Sequence, residues 1–211
     1  MIVYGSTLSP FVRKLMAYGS EKGLTLELRN ALPGSKDPEF RAASPLGKVP
    51  GFRDGDFAIS DSSAIITYLE AKEPAPNLIP LEPKARAWTV WYDEFADTVL
   101  VPVMAKLFFN RVVAGLMGRQ GDLAAADAAE REELPPLLAY AETIAPASGF
   151  LVEGRLTLAD LAVASPFVNI AHAGHVLDAN AYPKLCAYIT AIHGRPSFAA
   201  LIAAEKAALA R

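Results

Sequence analysis

The 211-residue sequence holds one cysteine, Cys186, and three histidines. A lone thiol excludes an internal disulfide and suits a reducing compartment. His172, His175 and His193 are scattered, with no cysteine or carboxylate at metal or triad spacing. They read as structural, and no metal site is expected. Cys186 sits on an apolar helical face and is expected to be a buried, inert thiol. Basic excess is missing too: 20 Lys and Arg stand against 23 Asp and Glu, a net charge of −3, so no nucleic-acid partner is indicated. No uninterrupted apolar run reaches about 18 residues, the length of a membrane span. The most apolar stretch, 156–173, carries Thr157, Asp160, Asn169 and His172 and reads as a buried helix. The opening MIVYGSTLS turns polar by position 5 and lacks a signal-peptide core, so the expected address is cytoplasmic.

What is present is a chain with 52% hydrophobic and 20% charged residues, enough for one large core or two modest ones. Ile2-Val3-Tyr4 is β-prone. Pro10 opens a helix with Phe11, Leu15 and Tyr18 on one face, and Gly23 stops it. Residues 24–28 alternate as a second strand. A loop with Pro33, Gly34 and Pro38 follows, then two apolar runs around Asp54-Gly55, a hairpin signal. Residues 62–71 form a helix through Ile65, Ile66 and Leu69, completing β-α-β-α-β-β-α, the order of a thioredoxin-like α/β domain. Prolines 74, 76, 80 and 83 mark a linker, placed at 76–83 between an α/β domain over 1–75 and an all-helical domain over 84–211. Helices are expected at 84–109, 123–145, 157–173, 182–193 and 196–210. Pro135-Pro136 and Pro166 are expected to start or kink helices.

Three segments carry chemistry. In Ser6-Thr7-Leu8-Ser9-Pro10-Phe11-Val12-Arg13-Lys14, a hydroxyl stands at a helix mouth where free amides favour an anion. Taken locally, Ser9 reads equally as an N-cap. Ser44-Pro45-Leu46-Gly47-Lys48-Val49-Pro50 contains an X-Pro bond, for which the cis form costs only about 0.5–1 kcal/mol, and taken locally it reads as an ordinary loop-to-strand turn. Ser60-Asp61-Ser62-Ser63-Ala64-Ile65 opens a helix at which Asp61 or Ser62 serves as a cap.

In this order and spacing the three segments resemble the glutathione-binding half of serine-type cytosolic glutathione transferases. Thr157-x-x-Asp160 resembles the family's capping box, and residues 182–198 resemble its last helices. The resemblance implies a thioredoxin-like domain followed by an all-α domain. It implies glutathione as co-substrate, with the Ser9 hydroxyl on its sulfur and Thr7 or Ser6 as substitutes. Val49 before cis-Pro50 would pair with its peptide backbone, and Asp61 and Ser62 would hold its γ-glutamyl end. Lys36 or Lys48 would meet its glycine carboxylate, with Phe11 alongside. Tyr4 reads as core. Serine cannot form a mixed disulfide, so conjugation of the thiolate to an apolar electrophile ranks above thiol exchange. Peroxide reduction, isomerisation or lyase chemistry, or a non-catalytic scaffold, are the alternatives. The zeta class shows Ser-Ser-Cys where this chain has Thr-Leu-Ser. A second substrate is expected between the domains near Phe11, Val99, Met104 and Phe108, residues that helical spacing alone assigns to core. The family implies a homodimer, with Trp88, Trp91 and Tyr92 at its interface or against the linker.

Overall fold

The computed structural model describes residues 1–147 and 149–210. The chain forms two compact units, Met1–Ile79 joined by the last helix, Pro196–Leu209, and the stretch from Pro80 to Arg195.

The first unit runs β1 (Ile2–Tyr4), α1 (Pro10–Glu21), β2 (Glu27–Arg29), α2 (Pro38–Ala43), β3 (Gly51–Asp54), β4 (Phe57–Ser60) and α3 (Ser62–Lys72). The sheet order is β2-β1-β3-β4, with β1 parallel to β2 and the other pairs antiparallel. This is the expected thioredoxin-like arrangement, with three differences in detail. The second strand starts three residues later than the alternation suggests, because the Leu24 amide donates to Gly19 O and belongs to the turn that closes α1. Pro38 is not in a loop: Asp37 caps α2 by accepting from Phe40 N at 2.8 Å, and Pro38 takes the first helical position, where its missing N–H costs nothing. The final helix, expected in the helical domain over 84–211, packs on α1.

That packing has a charged centre. Arg13 and Glu205 are 0% and 2% exposed, and the guanidinium grips the carboxylate through Nε at 2.9 Å and Nη2 at 2.9 Å. A second buried carboxylate, Glu70 on α3, accepts from Tyr18, from Lys22 Nζ at 2.7 Å, from Asn77 Nδ2 at 2.8 Å and from the Leu78 and Ile79 amides. Glu70 thereby pins the start of the proline-rich 76–83 segment, where Leu78 and Ile79 are buried. Alternation along β1 turns Ile2 and Tyr4 toward Phe40 and Ala43 of α2, and Val3 to the opposite face.

In the second unit Leu158–His172 is buried on nearly every side, so it is apolar all round rather than amphipathic. The expected Thr157–Asp160 capping box is present, and the buried Asp160 carboxylate also accepts from Leu151 N and Tyr188 Oη. Pro166 lies inside this helix instead of opening one. Against it packs a single helix, Pro83–Leu116, interrupted by π-type turns at Ala96–Leu100 and Phe109–Val113. The first wide turn precedes Pro102, whose ring would clash with the carbonyl four residues back in a regular helix. The same device, Ala129–Glu133, precedes Pro135-Pro136 and keeps the helix over 123–144 running. Among the described residues the helix long and apolar enough to span a membrane is Pro83–Leu116 rather than 156–173, with a mean hydropathy of 1.6 over 18 residues. Its Lys106 and Arg111 pair with Glu133, Asp127 and Glu130 of the helix beside it.

Candidate active site

The register of the sheet gathers the three segments at one edge. Tyr4 stands opposite Gly51, and Gly51 opposite Ser60, so the ends of β1 and β4 and the start of β3 lie side by side. The chain just beyond them is Gly5–Ser9, Val49–Pro50 and Asp61–Ser62. Gly5 is required for this convergence: a Cβ there would sit 2.6 Å from Val12 Cγ2 and 3.5 Å from Val49 Cβ. The Asp61 amide donates to Pro50 O at 3.4 Å, and Lys14 Nζ of α1 donates to Ser63 Oγ of α3 at 3.4 Å. These ties join the two helix starts.

Ser9 occupies the N-cap of α1 in extended conformation but makes no side-chain cap bond. Its backbone N–H donates to Ser6 O and its C=O accepts from Arg13 N, while no bond from its Oγ occurs among the described residues. The half-exposed hydroxyl is therefore available beside the free amides of the helix mouth. Ser6 Oγ is instead engaged at 3.4 Å by the Leu8 amide. Tyr4 is core as expected: it is 3% exposed, its hydroxyl donates to Glu39, and burial plus that carboxylate hold its pKa above the ordinary value.

The Val49–Pro50 bond is cis, as the family resemblance implied. Neither the N–H nor the C=O of Val49 has a hydrogen-bond partner among the described residues, which leaves a short strand-like edge open. The preceding loop is held by Ser44 Oγ, which donates to Lys48 O at 2.6 Å. Sequence reasoning missed that role of Ser44, although its complete burial is consistent with it.

At α3, Asp61 has a left-handed φ of 87°, a conformation disfavoured for a residue with a side chain. Its Oδ1 caps the helix by accepting from Ser63 N and Ala64 N, at 3.0 and 3.1 Å. Its Oδ2 has no protein partner among the described residues. Cap and ligand are thus compatible roles. Ser62 is 2% exposed, and its hydroxyl also lacks a partner among the described residues. Lys36 and Lys48 are exposed on loops joined by the bond from Gly34 N to Gly47 O, and neither is in an ion pair among the described residues. Phe11 is half-buried in the first turn of α1.

Two family models match the chain. The glutathione S-transferase N-terminal domain model matches residues 3–77 and the C-terminal domain model residues 108–205. Glutathione S-transferase 3 of Zea mays is 30% identical over 208 residues, covering 96% of this chain and 93% of that protein. The chain belongs to the glutathione S-transferase family. Among solved members, the glutathione S-transferase of Rhodospirillum rubrum F11 superposes with a TM-score of 0.85 at 25% identity, over 95% of this chain and 90% of that one. The theta class glutathione S-transferase of Xanthomonas axonopodis pv. citri, solved with glutathione bound, gives 0.80 at 27% identity, over 95% and 96%.

Other residues singled out in the sequence take the following places within this glutathione S-transferase fold. Met104 and Phe108 are core residues, 1% and 6% exposed, and only Val99 of that group on the long helix reaches the surface, at 40%. Cys186 is half-buried rather than buried, and burial with Glu142 and Asp178 nearby raises its thiol pKa, so it stays protonated. His175 does have a carboxylate partner, Glu130, at 2.5 Å from Nδ1. The pair lies 45 residues apart in sequence and beside Arg111, which gives it a structural setting. Trp88, Trp91 and Tyr92 stack with Phe95 and Tyr140 of the same unit. Among the described residues no three His, Cys, Asp or Glu side chains gather as a metal site.

Proposed function

We propose that this protein is a glutathione transferase in which Ser9 stabilises the glutathione thiolate for attack on an apolar electrophile. The observation that carries the reading is the set of polar groups at one sheet edge without a partner among the described residues: the Ser9 hydroxyl, the Val49 N–H and C=O, Asp61 Oδ2 and the Ser62 hydroxyl. Each suits one part of an extended tripeptide. Val49 would add the cysteinyl unit as a short strand. The α3 start with Ser62 would take the γ-glutamyl carboxylate, and Asp61 Oδ2 its ammonium. Lys36 or Lys48 would meet the glycine carboxylate, and Phe11 would line the sulfur side. The named relatives, all glutathione S-transferases, support the same co-substrate.

The thiol loses its proton to solvent, and the Ser9 O–H donates to the sulfur anion. The C–S bond forms as the leaving group departs from the electrophile. A helix start contributes roughly 0.3–1 kcal/mol to the anion, and a charge-assisted hydrogen bond about 1.5–3 kcal/mol before desolvation is charged against it. Together they lower a thiol pKa of about 8.5 by roughly one to two units. A homodimer in the cytoplasm completes the proposal, supported by family membership and by a thiol co-substrate that requires a reducing compartment. Calorimetric titration with glutathione, followed by turnover of 1-chloro-2,4-dinitrobenzene, tests it. Binding with turnover is expected. Binding without turnover of this or any aryl or alkyl halide would point to a carrier, and absence of binding would overturn the reading.

A further inference from the structure

We propose that Ser44 is a positioning residue for glutathione, an inference that rests on the reading above: its hydroxyl holds from behind the peptide unit whose N–H, that of Val49, meets the cysteinyl carbonyl. Ser44 Oγ donates to Lys48 O at 2.6 Å. The Lys48 C=O and the Val49 N–H belong to one planar trans unit and point in opposite directions. A bond that draws the carbonyl toward Ser44 therefore aims the N–H away from it.

Ser44 can hold that plane because it is itself fixed. It ends α2, where its amide donates to Phe40 O at 2.7 Å, its carbonyl accepts from Gly47 N at 2.8 Å, and the residue is fully buried. Gly47, at a left-handed φ of 69°, turns the chain back, and its carbonyl accepts from Gly34 N at 2.8 Å. These anchors stop at Val49, whose N–H and C=O have no partner among the described residues. Without the hydroxyl, the Lys48 carbonyl would face the protein unpaired. The direct relief is rotation of the peptide toward water, which turns the Val49 N–H off the ligand. The bond also polarises the amide it holds, so the same N–H becomes a stronger donor. Ser44 touches no atom of glutathione in this arrangement. Its effect falls on binding of the cysteinyl unit, while the thiolate is left to Ser9.

The test titrates wild type and Ser44→Ala with glutathione and with γ-glutamylcysteamine, which keeps the γ-glutamyl end and the thiol but lacks the cysteinyl carbonyl and the glycine. Ser44→Ala should weaken glutathione about threefold to tenfold, the worth of one neutral hydrogen bond, and leave γ-glutamylcysteamine unchanged. With 1-chloro-2,4-dinitrobenzene as second substrate, KM for glutathione should rise by the same factor at constant kcat, the mark of lost uniform binding. If Ser44→Ala does not fold, Ser44→Cys, similar in size and a weak donor, carries the same comparison with a smaller loss. Equal loss for both ligands would make Ser44 a structural residue only and overturn the proposal. So would unchanged glutathione affinity, or a fall in kcat without a rise in KM. Wild type that binds neither ligand would overturn the transferase reading, and this inference with it.

Discussion

Glu205→Ala would leave the Arg13 guanidinium charged, buried and without the carboxylate that accepts its Nε and Nη2 hydrogens. Burial already lowers the Arg13 pKa and Glu205 opposes that effect, so removing the acid removes the compensation. Breaking a buried pair in this way costs about 3–5 kcal/mol. For a chain of this length each kcal/mol lowers the melting temperature by about 2–4 °C, so a fall of roughly 6–20 °C is expected. Two units need not unfold together, so far-UV circular dichroism should be joined by hydrogen exchange of residues 10–21, which report α1 directly. The double variant Arg13→Met/Glu205→Leu should recover most of the loss, since apolar side chains of similar volume replace a buried pair at little cost. A loss below about 1 kcal/mol in Glu205→Ala, or a double variant less stable than the single one, would refute this account of how the last helix is held.

Asp61→Asn keeps a cap acceptor for Ser63 N and Ala64 N but removes the charge, so stability should change little while the glutathione dissociation constant rises about tenfold, the scale of one charge-assisted bond; calorimetry reads both. Glu130 titrates below its ordinary 4.5, chiefly because Arg111 donates to it and then because of His175. Its folded pKa is depressed, so its contribution is full above about pH 4.5 and is lost as pH falls through the folded value. Urea midpoints should therefore fall more steeply below that pH in wild type than in Arg111→Met.

The order of elements was legible because each signal is local. Asp54-Gly55 forces a hairpin, Pro10 opens a helix, and Gly23, with φ 69°, ends it. Helix α2 was implied by the element order but its place was hidden by its length: six residues show no periodicity, and its local mark is the Asp37-Pro38 cap, which read as loop. Membership of the last helix depends on Arg13 meeting Glu205, 192 residues away, which no window of sequence displays. The candidate site was readable where backbone chemistry fixes residue type, at helix mouths and before proline. Cap and catalyst could not be separated locally, because the free Ser9 hydroxyl and the uncommitted Oδ2 of Asp61 exist only once the helices have formed. The Lys14–Ser63 tie and the clearance required at Gly5 are likewise products of packing.

The ultraviolet absorbance of bound glutathione thiolate, followed across pH in wild type and Ser9→Ala, tests the central claim most directly. Wild type should form the thiolate roughly one to two units below the free thiol's pKa of about 8.5, and Ser9→Ala should lose most of that shift while still binding glutathione. A thiolate that forms at the same depressed pH in Ser9→Ala would contradict the account and move the role to Thr7, Ser6 or a backbone amide.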